Sequence, residues 1–158
     1  MADESYLGRA AALGVVAGMR SMAAPAAVSR HLAADDGGGA DGVLERLLGH
    51  PYAPWVLGLA SLGEHVADKL PGTPNRTDPA PLGARIASGA LCGALVARRE
   101  DESAVAGALV GALAAAAATF AVYQLRHALT ADAGLPDLPV ALAEDVAAVA
   151  LAEAALRQ

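Results

Sequence analysis

Glu64 and Asp68 stand four residues apart, so a helix sets both carboxylates on one face. Such a pair is half of a cation site, or a step in a proton relay. Lys69, the only lysine of the chain, follows directly, and Arg76 lies across a proline-rich stretch. An ammonium and a guanidinium placed together suit a phosphate or carboxylate group. Arg20 sits midway along an apolar segment, in Gly18-Met19-Arg20-Ser21-Met22. At that depth it needs a carboxylate, an anion or water, and Glu64 or Asp68 is the expected internal partner. Glu144 and Asp145 form a second acidic pair on the last apolar segment. Together, Arg20, Glu64, Asp68, Lys69, Arg76, Glu144 and Asp145 make the candidate ligand-binding site.

Other chemistry is thinly represented. His65 faces away from Asp68 on a helix, so a metal held by Glu64 and Asp68 would need further ligands, such as Glu144 or Asp145. No nucleophile motif, phosphate loop, paired-histidine zinc motif or dinucleotide fingerprint occurs. No cofactor and no catalytic residue is therefore assigned. Cys92 is alone, which excludes an intrachain disulfide, and its apolar neighbours mark it as a buried small residue. His31, His50 and His127 fall near expected helix ends and read as solvent-facing. Arg85 reads as an ordinary basic residue at a membrane boundary.

The elements that must position these residues are helical. The chain of 158 residues is 55% hydrophobic but only 3% aromatic, so alanine, leucine and valine supply its apolar surface. Alanine favours helix over strand. A net charge of -6 and the lack of any basic run argue against nucleic acid. Ser103 to Leu125 runs 23 residues without a charge, enough to span a bilayer. Tyr6–Leu32, Pro51–Leu70, Leu82–Ala97 and Leu138–Leu156 are weaker spans, each interrupted by charge or proline. A soluble bundle would carry charge along the wet side of each surface helix, and Ser103–Leu125 has no wet side. The expected fold is all-α: a single polytopic helical membrane domain over 1–158 with about five membrane helices, the first broken near Pro25. An acidic tail (1–5), a flexible acidic loop (33–42) and a proline-rich loop (71–81) lie outside the spans. Val43–Gly49 is a short amphipathic piece, followed by Tyr52 and Trp55 at an expected interface.

Gly14/Gly18, Gly89/Gly93 and Gly107/Gly111 place paired glycines on three separate spans, a pattern that lets helix backbones approach closely. Gly14-x-x-x-Gly18 followed by Arg30-His31 also resembles Gly107-x-x-x-Gly111 followed by Arg126-His127. On that match, helices one and two repeat as helices four and five, in inverted orientation. With alternating crossings, the arginines divide almost evenly between the two sides, so charge sets no orientation.

Several of these residues carry a resemblance. Gly18-Met19-Arg20-Ser21, then Gly63-Glu64…Asp68-Lys69-Leu70-Pro71…Pro74…Arg76, then Gly83-Ala84-Arg85…Gly89-Ala90, resemble a family of small bacterial membrane proteins catalogued as domain of unknown function 4126. The resemblance implies a multi-helix protein of the bacterial inner membrane and brings no activity with it. The leading expectation is a small transporter or channel-like protein for an ion or small anionic solute. The alternative is a structural protein that binds lipid or a partner. A metal-dependent enzyme acting on a lipid phosphate comes third. Expected partners are membrane lipids and further copies of the chain, since so few short helices enclose little volume.

Overall fold

Alanine, leucine and valine dominate each long segment, and the described part of each is helical. The computed structural model describes residues 5–34, 42–67 and 75–157. Among them the order is α1 (Ser5–Met19), α2 (Ala23–Ala34), α3 (Val43–Leu48), α4 (Ala53–Ala67), α5 (Pro79–Arg99), α6 (Ala104–His127) and α7 (Asp137–Leu156). A π-helical turn, Ala128–Asp132, joins α6 to the loop before α7. No strand occurs among the described residues. Asp68 and Lys69 lie outside them, as do residues 1–4, 35–41 and 71–74.

The proline-rich stretch is shorter than expected, because α5 begins inside it at Pro79. The first turn of a helix needs no backbone N–H donors, so proline fits there.

Small residues bring α1, α5 and α6 into close contact. Gly89 faces Gly111 so closely that a methyl group on Gly89 would lie 2.5 Å from the Gly111 carbonyl oxygen. Gly93 faces Gly107 in the same way, which makes α5 and α6 antiparallel. Gly14 faces Gly111, and Gly18 faces Ala115 and Ala118, so α1 and α6 run parallel. All three glycine pairs thus serve packing within one chain.

The first apolar segment is a hairpin. Arg9 donates to the Ala155 carbonyl and Arg20 to Asp145, so α1 runs antiparallel to α7. Arg30 then pairs with Glu153, far back along α7, so α2 runs with α7 and against α1. Leu32 lies against Gly49 while Ser21 meets Glu64, which sets α2 antiparallel to α4. The reversal occupies Arg20–Met22, ahead of Pro25, which sits in the first turn of α2. Proline explains the place: it has no N–H for the Ser21 carbonyl four residues back, and its ring would clash there. This reversal adds one change of chain direction. Helices one and four therefore share a direction instead of opposing each other, so the inverted orientation expected for the repeat does not appear in the glycine register.

The outer surface is apolar. Val105, Leu109 and Leu113 of α6, Leu138, Leu142, Val146 and Val149 of α7, and Trp55, Val56, Leu59 and Leu62 of α4 all point outward. The inner faces carry Leu13, Val16, Leu95 and Val96 together with glycine, alanine and charge. Such continuous outward apolar faces mark contact with lipid or protein. Two helices, Pro79–Arg99 and Ala104–Asp132, are long and apolar enough to cross a membrane.

Candidate functional site

The reversal at Arg20–Met22 frees backbone groups inside an apolar bundle, where each needs a partner. The ends of two helices meet there. The last carbonyls of α1 carry partial negative charge, and the N–H groups leading into α2 lie at its positive end. Each is met by a charge of the opposite sign. The Arg85 guanidinium donates through Nη1 to the carbonyls of Gly18 at 2.9 Å and Met19 at 2.8 Å. The Glu64 carboxylate accepts from the Ser21 N–H at 3.0 Å and the Met22 N–H at 3.2 Å. Arg85 Nη2 and Glu64 Oε1 close the arrangement at 3.2 Å. The Ser21 carbonyl orphaned by Pro25 accepts from Ser88 Oγ at 2.6 Å. Thr119 Oγ1 donates to the Ala115 carbonyl and approaches the Gly18 carbonyl at 3.3 Å. The hairpin tip is therefore stapled by side chains from α4, α5 and α6.

A second layer lies beside it. Arg20, only 4% exposed, donates through Nε to Asp145 at 2.8 Å. On the same turn of α7, Glu144 is buried between Arg76 at 3.0 Å and Arg126 at 3.6 Å. Arg126 also forms a bidentate pair with Asp137, at 3.0 and 2.8 Å. Among the described residues, Arg20, Arg76, Arg85 and Arg126 thus face Glu64, Asp137, Glu144 and Asp145. Among the described residues of the cluster, four arginines meet four carboxylates.

Arg20, Glu64, Arg76, Glu144 and Asp145 converge at one end of the bundle, as their residue types suggested. Their pairing differs from the expectation: Arg20 takes Asp145 of α7, while Glu64 takes Arg85 and the α2 N-terminus. Asp68 and Lys69 lie outside the described residues. A metal on Glu64 finds little support, since both its oxygens accept N–H donors and a guanidinium lies beside it. No group of three or more metal-ligating side chains occurs among the described residues.

Arg85 is the residue sequence reasoning misjudged. It is buried, and it shares one helix face with Ser88, Gly89, Cys92, Gly93 and Val96. Its position four residues before Gly89 is the signal that places it on the packing face. Cys92 is buried, and His31, His50 and His127 are exposed, as expected.

The decisive comparison is a match to the family model for a domain of unknown function (DUF4126) over residues 7–158. The chain belongs to the DUF4126 family. No curated protein and no solved structure matches it. Family membership brings no activity, so chemistry must be argued from the hairpin tip and its charges.

Proposed function

We propose that this DUF4126 chain is a multi-pass protein of the bacterial inner membrane, and that the stapled hairpin tip is a transport site for a small anion. The observation that carries this reading is the seat of Glu64. Its carboxylate occupies two backbone N–H groups at a helix N-terminus, with a guanidinium alongside, inside an apolar bundle. A half-helix N-terminus at membrane depth is the kind of place that holds an anionic solute group in transporters built on discontinuous helices. Glu64 holds that place at rest. Protonation of Glu64 removes its charge and frees the seat for an anion, which Arg85 neutralises. Anion entry is then coupled to a proton.

Depth supports the reading. From Ala104, α6 rises about 22 Å to Thr119, level with the tip, at 1.5 Å per residue. It continues about 12 Å further to His127, so the tip lies within a bilayer core of about 30 Å. The arginines support an orientation. With α1 and α2 forming a hairpin, Arg9, Arg30, Arg46, Arg98, Arg99 and Arg157 gather at one end, against Arg76 and Arg126 at the other rim. Excess basic charge favours the cytoplasmic side, so the α1 N-terminus and the α7 C-terminus face the cytoplasm. Self-association through the outward apolar faces completes the reading.

Proteoliposomes loaded with a pH-sensitive dye and challenged with external chloride, nitrate or phosphate test it. Protein-dependent lumenal acidification with at least one anion is expected, and Glu64→Gln should abolish it. Vesicles indistinguishable from protein-free controls for every anion tested would sink the transport reading.

The pairing of each described arginine of the cluster with a carboxylate favours a second reading, in which the pairs only pin the hairpin and the protein serves a structural, lipid- or partner-binding role. Under it, Glu64→Gln lowers stability while no flux exists to lose. An enzyme acting on a lipid phosphate through a Glu64-bound metal is the least supported, for the pairing reasons above.

A further inference from the structure

Beyond the hairpin tip, between α6, the π-helical turn and α7, lies a cavity of about 470 Å³. Val122, Leu125, Arg126 and Leu129 line one side, and Val140, Ala143, Glu144 and Ala147 the other. Each set follows helical spacing, so two whole helix stripes face the space. The volume falls within the range of small-molecule sites, which are largely apolar with a few convergent polar groups. Met19, beside the tip, closes the inner end, and the charges of Arg126 and Glu144 stand on its wall. Arg76 reaches the same Glu144.

We propose that this cavity holds an acyl chain of an anionic phospholipid whose phosphate is bound by Arg76 and Arg126. Three observations point to that occupant. Arg126 and Glu144 stand among apolar lining, with Met19, Val122 and Ala147 on the inner side and Leu129, Pro139 and Val140 on the outer, so an acyl chain meets apolar wall while its phosphate reaches the arginines. Arg126 is held by Asp137, whose side chain is 66% exposed, so water already screens that pair and a phosphate can replace it. Arg76 engages Glu144 through Nη1, which leaves the rest of its donor fork for a phosphate. The wall also contains the π-helical turn, in which Leu129 sits, and the Leu135 N–H reaches back to the Leu129 carbonyl at 3.0 Å. Such turns mark functional positions more often than ordinary helix does.

The inference rests on the chain being membrane-embedded but not on anion transport. Native mass spectrometry of delipidated protein in detergent, titrated with phosphatidylglycerol or phosphatidylcholine, provides the test. One tightly bound phosphatidylglycerol is expected, preferred over phosphatidylcholine by about tenfold, the scale of one charge-assisted contact. Arg126→Gln should remove most of that preference. Ala143→Trp fills the cavity without altering a charge and should remove the bound lipid, with Ala147→Leu as the milder filling variant should the tryptophan prevent folding. Inorganic phosphate at equal concentration should not compete, since it lacks the chain. Equal retention of both lipids, or phosphatidylglycerol retained undiminished by a folded filling variant, overturns the proposal. Displacement by inorganic phosphate assigns the site to a free anion and overturns it as well. Anion flux lost with lipid binding intact would strike only the transport reading.

Discussion

Glu64→Gln isolates what the stapled tip contributes. The substitution keeps the shape and removes one charge. It leaves the Arg85 guanidinium, 4% exposed, facing a neutral amide at the Glu64–Arg85 contact of 3.2 Å. Removing one partner of a buried pair costs about 3–5 kcal/mol, chiefly because the other charge stays behind. One of the two N–H groups at Ser21 and Met22 then faces the amide NH2 and loses its acceptor, a loss on the order of 1–3 kcal/mol that overlaps with the first. The expected loss is therefore about 3–5 kcal/mol, enough to unfold a marginal domain. Arg85→Met should cost about as much, because Glu64 then stands uncompensated and the Gly18 and Met19 carbonyls lose their donor. The double variant should be less damaging than the sum by about 2 kcal/mol or more, since neither charge is left alone. Unfolding in mixed detergent micelles, titrated with a denaturing detergent and followed by helical circular dichroism, measures all three. Single losses below about 1 kcal/mol that simply add would mean the pair is hydrated like a surface bridge, and the account of the hairpin would fail.

Other outcomes follow from the same geometry. Arg30→Gln breaks the exposed pair with Glu153 and should change stability by no more than about 0.5 kcal/mol, which makes it the control for the tip variants. Ser88→Ala leaves the buried Ser21 carbonyl without its hydroxyl donor and should cost on the order of 1–3 kcal/mol in the same unfolding titration. Gly89→Leu drives a side chain into the α6 backbone at Gly111 and should abolish folded protein in detergent extracts, read by size-exclusion chromatography. In a Cys92→Ala background, Gly8→Cys and Arg157→Cys should react with a membrane-impermeant maleimide from one side and His127→Cys from the other. Labelling of Gly8→Cys and Arg157→Cys from opposite sides would restore a single first span and remove the hairpin.

Much of the fold was legible because apolar composition and helix formation are local properties. Ser103–Leu125 announced a span by length alone, and α7 began within a residue of its expected start at Leu138. The paired glycines announced close packing, though not their partners: only the assembled bundle shows Gly89 against Gly111 and Gly14 against the same turn of α6. The candidate site was legible as a set of charges too costly to bury without purpose. Its pairing was not, because Arg20 and Asp145 are far apart in the chain, and several carboxylates were equally plausible partners. Arg85 was misread because its meaning lies in two carbonyls, those of Gly18 and Met19, that carry no signal in the sequence.

The sequence by itself determined an all-helical, strongly apolar chain with small residues at helix contacts and one concentration of charge, since propensity, hydropathy and side-chain type reside in each residue. Only the tertiary structure decided that the first segment folds back at Arg20–Met22. Pro25 forbids an unbroken helix there, but it does not say whether the chain continues or reverses. That choice depends on whether the freed carbonyls and N–H groups find partners, and Arg85, Glu64 and Ser88 arrive from other helices to supply them. The reversal then sets the direction of each later helix, and so gathers Arg9, Arg30, Arg46, Arg98, Arg99 and Arg157 at one end of the bundle.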